Sequence, residues 1–262
     1  MMQTKTLPAL LAACLLAACA AAPDAAAPQQ AASQAAASAP ADFPESAAEL
    51  SERTEAAALA RIKKPAEKII AYYDADGKEQ NAPAAKGFYR ILMGTTANGE
   101  VVIRDYYQDS LTKQTTPIVL SKAKSKSFDA ADSEGRTVWY RPDGSILYFG
   151  DFHGGRQVRS GYYQEGRLVL KVDNSANPDN ADMTGYYPDG KRMFEIKADG
   201  ATTLYYRNGK KLSAKSADKA PEYWRKNGSP AKQDDVLDEL LTTEKRIQNL
   251  IRAVQKSEKP AP

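Results

Sequence analysis

Short runs in which hydrophobic and polar residues alternate fill the middle of the chain, from about residue 67 to residue 230. Most runs carry a pair of aromatic residues and end at a turn, as Tyr186-Tyr187 does before Pro188-Asp189-Gly190. Alternation with a period of two is typical of strands with one buried face. The pattern therefore predicts β-strands joined by tight hairpin turns, in which Asp-Gly and Asn-Gly adopt positive φ at both central positions.

The turns recur at a period of about twenty residues, which is typical of a repeat architecture. Their glycines are Gly144, Gly166, Gly190, Gly209 and Gly228. A single hairpin is only marginally stable in water, so each unit is expected to bury its aromatic face against its neighbours. The expected fold is mainly β: one elongated antiparallel sheet of stacked hairpins, flanked by an N-terminal and a C-terminal helix.

These two helices are predicted outside the repeats. The first spans residues 45–66, where Ser46 or Ser51 could cap good helix formers and Pro65 would end or bend the helix. The second spans residues 231–256, where apolar residues recur at three- and four-residue steps. Two roles stay open for it: it caps the sheet, or it binds a partner. The side chains that would contact such a partner are Leu237, Leu240, Ile247 and Leu250.

The repeated unit, Tyr-Tyr-x-Asp/Asn-Gly-Lys, together with Gly-Asp-Phe-x-Gly-Gly at residues 150–155, resembles the MORN repeat. The similarity is greater to a bacterial variant, found in tandem in secreted lipoproteins and in proteins described as antitoxins. It runs from about Val101 to Gly228, with a degenerate first unit. The resemblance implies scaffolding, binding or neutralising roles, and no shared catalytic residue.

The chain contains 14 tyrosines, most of them in pairs. Adjacent residues of a strand point to opposite faces of a sheet, so one ring of each pair is expected on each face. Either both rings are structural, or one set is exposed as a ladder that stacks on sugar rings or receives the edge of a protein. The ladder would consist of Tyr140, Tyr163, Tyr187 and Tyr206.

The N-terminus has the layout of a bacterial lipoprotein signal peptide, predicted over residues 1–18: a lysine, an apolar run and Leu-Ala-Ala before Cys19. Cys14 ends a similar motif, but cleavage there would leave a very short apolar core. The resemblance to the lipobox implies that Cys19 is lipidated and tethers the chain to a membrane. Ala20, in place of Asp, implies transfer to the outer membrane. Residues 19–44, rich in Ala and Pro, are predicted to be a disordered tether, and residues 257–262 a tail.

Composition excludes several kinds of chemistry. The 36 basic and 33 acidic residues nearly balance, and without a basic run we expect no nucleic-acid partner. The chain has one histidine, His153, which we interpret as a turn residue, and both cysteines lie in the N-terminal segment. We therefore expect no catalytic cluster, no metal site and no cofactor.

The resulting functional hypothesis is a membrane-anchored lipoprotein that acts as a non-catalytic binding or scaffolding module in the cell envelope. Its expected partners are the membrane, through the lipid, and an unidentified protein or other envelope component. Two alternatives stay open: an immunity or antitoxin protein that neutralises a toxin, and an enzyme acting on envelope polysaccharide. The enzyme ranks last, because scattered carboxylates such as Glu165 and Asp199 would have to face one cleft.

Overall fold

The structure is a computed structural model that describes residues 46–216 and 218–258. The predicted signal peptide (residues 1–18), Cys19 and the tether (residues 19–44) lie outside the described residues, as does most of the predicted tail. In the described part, antiparallel sheets and two α-helices make the protein mainly β, as predicted.

The helices and strands follow one another closely along the chain. The helices are α1 (Ala47–Leu59) and α2 (Leu237–Glu258). The first sheet contains β1 (Ile62–Tyr73), β2 (Glu79–Gln80), β3 (Phe88–Thr96), β4 (Val101–Tyr107) and β5 (Ile118–Leu120). The second sheet contains β6 (Gly135–Tyr140), β7 (Ile146–His153), β8 (Arg156–Gln164), β9 (Arg167–Asp173), β10 (Asp182–Tyr186), β11 (Arg192–Ile196), β12 (Thr202–Tyr205), β13 (Lys211–Ser216), β14 (Lys219–Trp224) and β15 (Pro230–Ala231). Short 3₁₀ helices occupy Lys122–Lys124, Ala130–Asp132 and Gln233–Val236.

The expectation of a single long sheet is wrong, because the described strands form two sheets. The first has the order β2-β1-β3-β4-β5, and the second runs from β15 to β6 in sequence order, as a meander. The segment between them changes partner: the Thr116 amide donates to the Val138 carbonyl of β6 at 2.9 Å, whereas residues 118–120 pair with β4. Pro117 separates the two pairings and has no N–H to continue either ladder.

The tight turns at the glycines of the second sheet follow two designs, of which the sequence predicted one. At the turn that begins with Tyr187, the Gly190 amide donates to the Tyr187 carbonyl at 2.9 Å, and only Gly190 has positive φ (82°). This is a type I turn followed by a left-handed glycine, so the prediction of positive φ at Asp189 is wrong. The two-residue turns at 154–155 and 165–166 do have positive φ at both positions.

Within the described strands, six hairpins of the second sheet contain a β-bulge, and in four of them the bulge follows a turn at the edge that carries Gly144, Gly166, Gly190 and Gly209. In the third of these four, Tyr186 pairs with Arg192 and Gly185 pairs with Phe194, which leaves Met193 as the extra residue. The corresponding extra residues are Leu147, Val169, Met193 and Leu212. All four pack in or against the core cluster that includes α2, so the bulges place an additional apolar side chain on that face.

Helix α2 covers one face of the second sheet. Leu240, Ile247 and Val254 are buried against a core that contains Trp139 and Phe194. Burial of this stripe is the main stabilising contribution of the helix, since each apolar side chain removed from water contributes about 1.5–3 kcal/mol. Within the described residues, no helix is long and apolar enough to cross a membrane.

Helix α1 is shorter than predicted. Ser46, one of the two caps that the sequence suggested, caps it together with Glu49, but the helix ends at Leu59 and not at residue 66. Residues 62–66 belong to β1, and Pro65 lies inside that strand. Pairing of β1 with β3 outweighs the helix propensity of this segment, and the proline is tolerated because it lies at a register shift.

Candidate binding surface

The two faces of the second sheet are covered differently. On the face that carries α2, cross-strand neighbours form one apolar row that is interrupted by Gly185 of β10 and Ser213 of β13. Its members are Trp139, Tyr148, Tyr162, Leu170, Phe194, Leu204 and Tyr223. The opposite face carries a second aromatic row. The residues paired with the rings of this second row change along the sheet from aliphatic to cationic.

Over β6 to β9 the second row is apolar and is covered by α1. Tyr140 pairs in register with Ile146, and Tyr163 pairs with Leu168. All four side chains are buried in one cluster with Leu50 of α1. The helix is therefore seated on this half of the face by aliphatic contact with the rings.

Over β10 to β14 the aliphatic positions become cationic. Arg192 occupies the position of Ile146 and Leu168, in register with Tyr186, and Lys211 occupies it in register with Tyr205. Each cation also lies over the next ring of the row, with Arg192 5.0 Å from the centre of Tyr205 and Lys211 5.7 Å from the centre of Trp224. We call this part of the face the open face, defined by Tyr186, Arg192, Glu195, Thr203, Tyr205, Lys211, Ala214, Glu222 and Trp224.

Three side chains at the centre of the open face hold one another in place. The Tyr205 hydroxyl donates to the Glu195 carboxylate, and Arg192 donates to the same carboxylate at 2.8 Å. Burial raises the pKa of Glu195, but the hydrogen bonds from Tyr205 and Arg192 outweigh it and keep the pKa below the ordinary value. Burial, reinforced by Glu195, raises the pKa of Tyr205. The cation is thus fixed over the ring before any ligand arrives.

The turns at this edge of the sheet add further positive charge. Exposed basic residues occur in each successive turn from β10 to β15: Lys191, Arg207, Lys210, Arg225 and Lys226. Asp189 lies 3.8 Å from Arg207, and Asp235 accepts a hydrogen bond from Arg225 at 2.7 Å. Basic residues outnumber these acidic ones, so the edge is favourable for anionic groups.

The predicted ladder of exposed rings is wrong. Tyr140, Tyr163, Tyr187 and Tyr206 are each at most 5% exposed. Tyr187 and Tyr206 moreover lie on the α2 face, whereas the other two lie beneath α1. The prediction took the second ring of each pair, but the face depends on distance from the turn. Before a type I turn, the residue four positions before the turn glycine points to the α1 side, and in the later repeats this is Tyr186, Tyr205 or Trp224. Before the two-residue turn at 165–166 it is Tyr163, three positions before Gly166.

The predicted contact residues of a partner helix are mostly core residues. Ile247 is 1% exposed and Leu240 is 8% exposed, so the structure places both against the sheet. Leu250 also packs against this core, and Leu237 is 38% exposed. Of the two roles left open for the C-terminal helix, the geometry favours that of a cover for the sheet.

One cleft lies where α1 meets the open face. It has a volume of about 490 Å³ and is lined by Ala47, Tyr163, Leu168, Tyr186 and Pro188, among others. Arg167 at its rim donates to the Pro188 carbonyl at 2.8 Å. The cleft is continuous with the open face through Tyr186, so it extends the surface rather than forming a separate site.

The carboxylates suggested for catalysis do not meet. Glu165 lies in the β8–β9 turn and Asp199 in the β11–β12 turn, at opposite ends of the strands. Even the five-residue strand β11 separates the two edges by about 16 Å, more than the roughly 10 Å at most over which paired carboxylates act. His153 lies beside an exposed turn and contacts Glu134. Among residues 46–216 and 218–258, no group of three or more His, Cys, Asp or Glu side chains is arranged to hold a metal.

No protein-family model matches the chain, and no curated protein matches it.

Proposed function

We propose that the chain is a non-catalytic binding or scaffolding module of the cell envelope, held at a membrane by a lipid on Cys19 and built from MORN-like repeats. The observation that carries the proposal is the open face, where Arg192, held by Glu195, and Lys211 each lie over an aromatic ring on a shallow sheet. Such a surface suits recognition of an extended or helical partner. Aromatic residues and arginine are the side chains that dominate binding energy at protein interfaces.

The repeats support a scaffolding role because each is tied to the next. The Tyr187 hydroxyl donates to the Tyr205 carbonyl at 2.7 Å, and the Tyr206 hydroxyl donates to the Trp224 carbonyl at 2.7 Å. The Tyr107 hydroxyl makes the same contact with the Tyr140 carbonyl at 2.8 Å, across the junction of the two sheets. A surface built this way keeps the spacing of its side chains, which reduces the cost of binding.

Anchoring is tested by labelling cells with a palmitate analogue. We expect the label and recovery in the membrane fraction to be lost in Cys19→Ser and retained in Cys14→Ser. Equal labelling of both variants, or a soluble Cys14→Ser protein, would show that the lipid is not on Cys19.

Binding is tested by crosslinking intact cells and purifying the whole chain for mass spectrometry. We expect one partner in roughly equal amount, and a co-produced toxic enzyme as that partner would establish the immunity alternative. A turnover that disappears on one substitution would contradict a non-catalytic role.

A further inference from the structure

The half of the sheet face covered by α1 shows what kind of element this face binds. Lys113 lies over the Tyr140 ring at 5.5 Å, and its ammonium group is 3.1 Å from the Glu55 carboxylate of α1. Ser51 of α1 forms a hydrogen bond with the Tyr140 hydroxyl, and Leu50 packs among the rings. An acidic, amphipathic helix is therefore bound where a cation is held over a ring.

The same cation-over-ring geometry recurs on the open face without α1, with the difference that the carboxylate contacted by Arg192 is Glu195 of its own strand. Arg192 over Tyr205 and Lys211 over Trp224 repeat the geometry of Lys113 over Tyr140. In the part of the chain that the structure describes, no helix covers β11 to β14 on this side. The side chains of Arg192 and Lys211 remain accessible, with the Arg192 side chain 40% exposed.

Other modes of protein docking fit the surface less well. The outer edge of β1 carries Lys63, Lys64, Pro65 and Lys68, and β15 at the other edge has two residues, one of them Pro230. Lysine and proline on an edge oppose the addition of another strand. The large aliphatic side chains exposed in the described residues are Leu59, Ile69, Leu111, Leu237 and Leu241, none of which belongs to the open face.

Resting on the proposed binding function, we propose that the open face binds an acidic amphipathic helix of a partner protein, lying across β10 to β14 as α1 lies across β4 to β9. Carboxylates of the partner contact Arg192 and Lys211. Small or apolar residues contact the partly exposed rings of Tyr186 and Trp224, since Tyr205 is only 7% exposed. The two cations stand on alternate strands, about 9.5 Å apart. Two helical turns rise about 10.8 Å, so the carboxylates are expected seven residues apart in the partner.

The test places a photocrosslinking amino acid at Thr203, at the centre of the open face, in cells that produce the chain. A second variant carries it at Thr242, which is exposed on α2 and serves as the control position. We expect Thr203 alone to crosslink a segment of one envelope protein whose sequence is amphipathic and has acidic residues seven apart.

Charge reversal then tests the contact itself. A synthetic peptide of the crosslinked segment is expected to bind the full chain about 100-fold more weakly when Arg192→Glu and Lys211→Glu are combined. The matched control, Lys219→Glu with Lys245→Glu, makes the same change in net charge elsewhere and is expected to leave affinity unchanged. Replacing the two peptide carboxylates with lysine should restore binding to the reversed chain. The single variant Lys211→Glu changes only an exposed side chain. Weaker binding by this variant would show that the loss in the double variant does not come from misfolding.

Several outcomes would overturn the inference. These are crosslinks from Thr203 to residues 20–45 of the same chain, to a glycan, to a non-helical or basic segment, or to nothing. If whole-chain crosslinking still recovers a partner, only the assignment of binding to the open face is wrong, and the proposed function stands. If neither experiment recovers a partner, the proposed function fails as well.

Discussion

At the scale of single residues, one buried ion pair, Arg90–Asp105, holds the first sheet to the segment that follows it. Arg90 is 2% exposed and donates two hydrogen bonds to Asp105, both at 2.7 Å. It also donates to the carbonyls of Ser125 and Ser127, so it fixes the segment between β5 and β6 against the first sheet. Removing one member of such a pair leaves the other charge buried without compensation.

Arg90→Met is therefore expected to reduce the free energy of unfolding by about 3–5 kcal/mol. Urea denaturation followed by circular dichroism measures the change. The double variant Arg90→Met with Asp105→Leu should recover part of the loss, because no unpaired charge remains. The exposed pair Lys197–Asp182 is the control, since Lys197→Met should change stability by less than about 1 kcal/mol. Equal losses of unfolding free energy in Arg90→Met and Lys197→Met would contradict a role for burial.

Two glycines of the second sheet are required for different physical reasons. Gly209 has a φ of 87°, and a Cβ there would meet nothing within 4 Å. Gly185 has ordinary backbone angles, but a Cβ there would lie 2.0 Å from the Phe194 ring. The first position requires a left-handed backbone, and the second requires space.

We expect Gly209→Ala to cost about 1–2 kcal/mol and Gly209→Asn less, because asparagine tolerates the left-handed region. Gly185→Ala is expected to cost about 1–3 kcal/mol through overpacking, and Gly185→Asn more than Gly185→Ala. Thermal unfolding of the four variants distinguishes the two causes. The same order of Ala and Asn at both positions would show that one cause acts at both.

At the scale of elements, α2 is predicted to act as part of the core. Ile247 is 1% exposed, whereas Leu241 on the same helix is 50% exposed. Ile247→Ala should reduce the free energy of unfolding by about 2–5 kcal/mol, and Leu241→Ala should change it by about 0.5 kcal/mol or less. Urea titration gives both values. A stable Ile247→Ala protein would favour the role of a partner helix that the sequence left open.

Much of this element pattern could be predicted from the sequence, because strands and turns repeat with a regular spacing. The α2 stripe and the Ser46 cap were predictable for the same reason: both depend on local spacing. The bulges at Val169 and Met193 were not, since they follow from how each hairpin returns from its turn. The turn types were not predicted correctly either, and because they set the distance of each ring from its glycine, the faces of Tyr187 and Tyr206 could not be assigned.

The contact of Glu55 in α1 with Arg104 and Lys113 gives a prediction for the pH dependence of stability. Burial raises the pKa of Glu55, but hydrogen bonds from Arg104 and Lys113 outweigh it and leave the pKa below its ordinary value. A carboxylate with a lowered folded-state pKa stabilises the protein above its unfolded pKa, and that stability is lost as pH falls through the folded value. Glu55→Gln should therefore be less stable at neutral pH but lose less stability on acidification. Unfolding free energies measured between pH 7 and pH 3 test this, and parallel curves for the two proteins would contradict it.

At the scale of the whole molecule, the two sheets are joined by α1 as well as by the segment around Pro117. Leu50 packs on the second sheet among Tyr140 and Tyr163, whereas Ala58 packs on the first sheet against Val102. A single sheet was expected from the repeats. The long-range pairing that divides the strands depends on one proline between two ladders, which a repeat pattern does not reveal.

If α1 couples the sheets, loosening its contact with one of them should separate their unfolding. Both tryptophans, Trp139 and Trp224, belong to the second sheet, so their fluorescence reports on that sheet alone, whereas circular dichroism reports on all strands. In the unchanged protein we expect the two signals to give the same urea midpoint, as in a two-state transition. In Leu50→Asp we expect the midpoints to separate, with Ala57→Asp, at an exposed position of the same helix, as the control. Coincident midpoints in Leu50→Asp would mean that the pairing of residues 114–116 with β6 is sufficient to couple the sheets, and that α1 covers the sheet without holding the two together.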